Sequence, residues 1–107
     1  MTNEDKEYTK RLYGIISDIA LAPAEVIQKR NNIPFPFCRA LVAEKLREKF
    51  YAYEIARLLG CSPSAITHAH RLVGVVMAHP TYMEQAIYDK WHQMTDTIRY
   101  ERTDKHR

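Results

Sequence analysis

Apolar residues recur every three or four positions along most of this 107-residue sequence. This spacing places them on one side of an α-helix, and no stretch shows the alternation that is typical of a β-strand. Prolines and glycines interrupt the pattern and divide it into segments. The sequence therefore predicts an all-α fold in which five or six helices pack into a single domain.

The interruptions predict where the helices begin and end. Pro23 and Pro63 suit the first turn of a helix, Ser62 suits an N-cap, and the residue before Pro80 is pushed out of the helical region. Five of the predicted helices cover about residues 5–21, 23–29, 54–59, 63–78 and 81–97, and a third helix in chain order follows a loop at 31–34. Two of them are expected to turn these side chains inward: Phe37, Leu41, Val42, Leu46 and Phe50 in the third, and Met83, Ala86, Ile87, Trp91, Met94 and Ile98 in the sixth. We expect one domain over residues 1–98 and a charged, frayed tail over residues 99–107.

Composition and motif content argue against several classes of protein. No apolar run approaches the roughly 20 residues of a membrane helix, and the acidic N-terminus lacks the apolar segment of a secretory signal. We therefore expect a cytoplasmic, nucleoid-associated protein in which Cys38 and Cys61 stay reduced, with Cys61 as a buried small hydrophobic residue. The glycines form no nucleotide-binding loop. His68 and His70 point apart on a helix, and the other histidines have no carboxylate or Cys at ligand spacing, so we expect no metal. No motif points to another cofactor or to catalysis, so we expect neither.

Positive charge is concentrated in the middle of the chain, although the net charge of the whole is only +3. Residues 29–71 contain eight Lys or Arg against three Glu, whereas the rest of the chain is net negative. Such a distribution is typical of a surface that binds a polyanion. The alternative is a solvated helix face with an accidental charge asymmetry.

The predicted fifth helix has a polar side without a carboxylate. At 100° per residue, Ile66, Ala69 and Val73 share an apolar arc. Ser64, Thr67, His68 and Arg71 occupy an arc of about 100° on the opposite side. All four side chains can donate hydrogen bonds to phosphates or base edges, which is what a helix in the major groove of DNA requires.

The segment AYEIARLLGCSPSAITHAHR resembles the helix-turn-helix pattern of bacterial DNA-binding proteins, here spanning about residues 52–78. That pattern has a small Ala where two helices meet, a Gly in the turn and five shared apolar positions. The seven matching residues are Ala56, Gly60, Ile55, Leu59, Cys61, Ile66 and Ala69. An ordinary αα-hairpin with a glycine turn is the alternative.

Residues 15–94 resemble, more broadly, the C-terminal DNA-binding domain of the bacterial replication initiator DnaA, a Trp-repressor-like helical fold. The resemblance is carried by ISDIALAPAEVIQKR, by a long helix that opens with Arg39, by EIARLLG, and by the string His68-Ala69-His70-Arg71-Leu72-Val73. It implies that Arg39 enters the minor groove and that His68 contacts a phosphate. The turn departs from the family pattern, because it is one residue shorter and lacks the Arg, Asp and His that read bases there.

These observations predict sequence-specific binding to double-stranded DNA, as in replication initiation or its regulation. Ser62, Ser64, Thr67, His68 and Arg71 are expected at the major groove, and Lys45, Arg47, Lys49 and Arg57 at phosphates. Three alternatives stay open. The chain is a dimeric transcriptional regulator, or it is a protein-interaction module that uses Trp91 in its last helix. At the level of single residues, Arg39 is a surface salt-bridge partner and His68 a solvated histidine. A homodimer or a replication-protein partner is compatible with the sequence, whereas a membrane or nucleotide partner is not expected.

Overall fold

The computed structural model of the protein describes residues 1–102. These residues form six α-helices and no strand, which confirms the predicted all-α class. In chain order the helices are α1 (Asn3–Ala20), α2 (Ala24–Lys29), α3 (Phe35–Leu46), α4 (Ala52–Leu59), α5 (Pro63–Ala78) and α6 (Tyr82–Thr95). None of the six is long and apolar enough to cross a membrane.

Local capping interactions determine several of these boundaries. Thr2 and Asp5 form a reciprocal capping box at the start of α1, and Thr81 and Glu84 do the same for α6. The Ser62 hydroxyl accepts a hydrogen bond from the Ala65 amide at 3.3 Å, so α5 starts at the predicted N-cap. These bonds satisfy amide groups that have no partner inside the helix.

Helix α3 is the centre of the fold. It packs against α1, α2, α5 and α6, and its sequence is apolar on nearly all sides, as expected for a helix that is surrounded by others. The five side chains that were predicted to face inward are all buried. Phe50 lies beyond the end of α3, because the chain turns after Leu46 and brings its ring back to the core.

The outer helix α6 buries less of its surface than the apolar pattern predicts. Ile87 and Trp91 are buried and Ile98 packs against the core, whereas Met83, Ala86 and Met94 are exposed. The prediction was wrong for these three because the buried residues of α6 are only Ile87, Trp91 and Thr95, which recur every fourth position and form one row along the helix. Trp91 is only 2% exposed, so its ring belongs to the core and does not contribute to the exposed surface of α6.

The chain after α6 folds back onto the domain. The Tyr100 ring stacks on Tyr8 at a centroid distance of 4.2 Å, and its hydroxyl donates to Asp5 Oδ1 at 2.6 Å. Arg102 pairs with Glu54 at 2.9 Å. The prediction of a frayed tail is therefore wrong for residues 99–102, since aromatic and charge contacts with distant residues leave no periodicity in the sequence. Residues 103–107 of the predicted tail lie outside the described residues.

Candidate nucleic-acid interface

Helices α4 and α5 pack against each other across a short turn. Ile55 and Ala56 of α4 are buried, as is Ile66 of α5. Gly60 ends α4 in the left-handed conformation, with φ of 71°, a geometry that strongly favours glycine. The amide of Cys61 donates to the Ala56 carbonyl at 2.9 Å and completes this cap. The turn therefore holds α5 at a defined angle to α4.

Cys61 was predicted to be buried in this turn, and that prediction is wrong. The residue is exposed, because it follows left-handed Gly60 on the outside of the turn. Partial burial still raises the pKa of its thiol above the ordinary value. A raised pKa leaves the thiol protonated at neutral pH, so Cys61 is a poor nucleophile.

The outward side of α5 carries the polar residues that the periodicity places there. Ser64, Thr67, His68 and Arg71 are all exposed, whereas Ile66 and Val73 on the opposite side are buried. Helix α5 contains no carboxylate from Pro63 to Ala78. A carboxylate of α3 does contact α5, since Glu44 pairs with His70 at 3.3 Å. This side of α5 is therefore an unobstructed set of hydrogen-bond donors.

A groove of about 650 Å³ lies beside α5 and is bounded by the start of α3. Arg39, His68 and Arg71 all line it, so the fold brings together three predicted residues that are up to 32 positions apart in sequence. The rest of its wall is largely apolar and includes Ala40 and Ala69, whose small side chains leave the space open. The three basic side chains thus share one concave surface, which we name the first groove.

Arg39 has a structural role that the sequence did not reveal. Its guanidinium donates to the carbonyls of Ile27 at 2.8 Å and Arg30 at 2.6 Å, and to Asn31 Oδ1 at 2.9 Å. Ile27 and Arg30 belong to the C-terminal end of α2, where carbonyls lack partners inside the helix. Nearby, burial raises the pKa of Tyr13 to about 12 although the Arg39 charge opposes that shift. Arg39 therefore connects α2 to α3 while it lines the first groove.

The phosphate-contact prediction for Lys45 is wrong. The residue is 6% exposed, and its ammonium group pairs with Glu48 at 3.0 Å and donates to the Ile98 carbonyl at 3.3 Å. Lys45 lies on the inward side of α3, where a cation needs partners inside the protein. Arg47 and Lys49 are exposed after the end of α3, but neither lines the first groove.

A second groove of about 810 Å³ lies between α1, α2 and α4, and here the sequence interpretation missed residues. Lys6, Lys10 and Lys29 line it together with Arg57, for which phosphate contact was predicted. The lysines of α1 were overlooked because Glu4, Asp5 and Glu7 surround them in sequence and cancel their charge in a linear count. In the folded chain Asp5 is buried and bonded to Tyr100, whereas Glu7 is exposed and lies 3.9 Å from Lys10.

The first 102 residues contain no group of three His, Cys, Asp or Glu side chains that could hold a metal ion. No protein-family model, curated protein or solved structure gives a significant match to the chain.

Proposed function

We propose that the chain binds double-stranded DNA through a helix-turn-helix formed by α4 and α5, with α5 as the recognition helix. The observation that carries this proposal is the exposed side of α5, which offers Ser64, Thr67, His68 and Arg71 with no carboxylate on the same helix. A helix in the major groove needs hydrogen-bond donors and apolar groups there, since phosphates and several base-edge atoms are acceptors.

The packing of α4 against α5 supports the same proposal. A recognition helix has to be held rigidly so that its side chains meet base edges in one register. Ile55, Ala56 and Ile66 provide a dry contact between the two helices, and Gly60 sets the turn. Ser62 and Ser64 lie at the start of α5 with their hydroxyls 3.1 Å apart. The N-terminal end of α5 is thus polar and open, as docking at that end requires.

The basic side chains of the first groove extend this surface toward α3. Arg71 is exposed, and the structure records no ion pair for it among residues 1–102. Arg39 and His68 line the same groove, so a duplex on α5 would meet all three. The resemblance to the DnaA domain extends the proposal to origin binding in replication initiation or its regulation, with the divergent turn reading a different site.

Fluorescence anisotropy with a random-sequence duplex pool at about 50 mM salt tests this proposal. We expect the wild-type chain to bind the pool. Arg71→Ala is expected to bind a duplex selected from that pool roughly 5- to 150-fold more weakly, because a lost guanine contact costs about 1–3 kcal/mol and a random pool averages over base contacts. Lys90→Ala is the matched control, since it removes an exposed cation of α6 that lines neither groove. Absence of binding by the wild type, or equal affinity of the two variants, would contradict the proposal.

A dimeric regulator would share this chemistry but would need two copies on a palindromic site. Light scattering of the chain bound to a selected duplex distinguishes a monomeric module from a dimeric regulator. The monomeric module gives one protein molecule per site, and the dimeric regulator gives two.

A further inference from the structure

The second groove is a cationic concave surface that lies outside the α4–α5 hairpin. Its charged lining consists of Lys6 and Lys10 from α1, Lys29 from α2, Arg57 from α4 and a single carboxylate, Glu25. Concave surfaces lined by one sign of charge focus the electrostatic potential and attract ligands of the opposite sign. The groove therefore favours an anionic ligand.

The charges of this groove are not a local run on one solvated helix. Three separate helices contribute them, and Lys6 is 51 positions from Arg57 in sequence. Lys10 pairs with Glu7 at 3.9 Å, but both side chains are more than 70% exposed, so this contact is worth little. Within residues 1–102 no ion pair is recorded for Lys6, Lys29 or Arg57. Folding thus collects like charges without neutralising them.

The second groove adjoins the first. Tyr13, Gln28, Leu59 and Gly60 line both, so the two grooves share part of their walls next to the turn between α4 and α5. A ligand that extends over this shared wall would contact α5 and the lysines of α1 and α2 together. Exposed lysines hold a single small anion weakly, whereas a polyanion meets several of them at once and releases its counterions.

We propose that Lys6, Lys10, Lys29 and Arg57 bind the phosphate backbone of the duplex next to the segment that α5 contacts. This inference rests on the proposed DNA binding and extends the interface to α1 and α2. The first helix of a helix-turn-helix crosses the backbone, and Arg57 lies on that helix. The lysines of α1 and α2 continue the same line of phosphate contacts beyond it.

The salt dependence of duplex affinity tests the inference. The slope of log K against log salt is negative, and each lost phosphate contact reduces its magnitude by about 0.9. We compare the double variant Lys6→Gln/Lys29→Gln with Arg11→Gln/Lys90→Gln, which also removes two exposed cations but from positions that line neither groove. The groove variant removes two phosphate contacts, so the magnitude of its slope is expected to fall by about 1.8. The magnitude for the control variant is expected to fall much less. Thermal unfolding followed by circular dichroism checks that both variants are folded.

The outcomes separate this inference from the function on which it rests. A normal wild-type slope that falls equally in both double variants overturns the phosphate assignment, while the effect of Arg71→Ala would still support binding by α5. A wild-type chain that binds no duplex overturns both. A slope that is reduced only in the groove variant supports the assignment. The variant Lys6→Arg/Lys29→Arg keeps the two positive charges and is then expected to show the wild-type slope.

Discussion

Replacing Arg39 by alanine distinguishes a structural role from a DNA-contacting role for this residue. The guanidinium makes three recorded hydrogen bonds at 2.6–2.9 Å, two of them to carbonyls at the end of α2. A hydrogen bond contributes about 0.5–1.5 kcal/mol to stability, and two of these three lie in exposed surroundings. We therefore expect Arg39→Ala to lower the free energy of unfolding by about 2 kcal/mol.

That loss corresponds to a decrease in Tm of roughly 8–16 °C, because 1 kcal/mol shifts Tm by about 4–8 °C in a domain of this size. Thermal unfolding followed by circular dichroism measures it. Asn31→Ala is the control, because it removes one acceptor and keeps the cation. It is expected to lower Tm by less than half as much. A wild-type Tm for Arg39→Ala would refute the argument that this side chain holds α2 against α3.

Duplex affinity then tests the DNA-contacting role of Arg39. It is measured at a temperature well below the Tm of both variants, so that loss of folding does not contribute. If the Arg39 guanidinium also contacts DNA, Arg39→Ala binds at least about fivefold more weakly, which corresponds to about 1 kcal/mol. Asn31→Ala is expected to bind like the wild type, because the guanidinium remains. Equal affinity of the two variants would show that Arg39 acts only within the protein.

Two further predictions concern the C-terminal segment and the turn. Burial raises the pKa of Asp5, but hydrogen bonds from Tyr100 and Thr2 outweigh it and hold this pKa below the ordinary value. The corresponding stability is present above the unfolded-state pKa of about 4 and is lost as pH falls through the folded-state pKa. Urea unfolding should show that Tyr100→Phe lowers the free energy of unfolding by about 1.5 kcal/mol at pH 7. At pH 3 the difference between variant and wild type should be smaller. A difference that stays constant with pH would contradict this reasoning. Gly60→Ala should lower the free energy of unfolding by about 1 kcal/mol and Gly74→Ala should raise it by about 0.5–1 kcal/mol, since no atom crowds either site and only Gly60 has a positive φ. If urea unfolding shows that both variants change the free energy of unfolding in the same direction, the backbone argument is contradicted.

Most of the fold could be predicted because its determinants are local. Apolar spacing, the Ser62 N-cap and the Gly60 turn act within one or two turns of helix, and α5 runs from Pro63 to Ala78 as predicted. The exposed side of α5 follows from the same periodicity. What could not be predicted is which apolar side chains are covered by neighbouring helices. The spacing of Met83 and Met94 matches a buried side of α6, yet no other helix covers them.

In the candidate site, the accessibility of charged side chains also depends on neighbours that the sequence pattern does not reveal. A linear count treats all cations of residues 29–71 alike, but Arg39 donates to backbone carbonyls and Lys45 is buried against Glu48. Conversely, Lys6 lies in an acidic stretch of sequence and still faces the second groove, because its neighbours point elsewhere around α1. Binding to a polyanion depends on the cations that remain accessible after folding, so the accessible positive surface includes Lys6 of α1 and excludes Lys45. A salt titration of the Lys6 and Lys29 variants therefore tests one cation that the linear count of the basic centre includes, Lys29, together with one that it leaves out, Lys6.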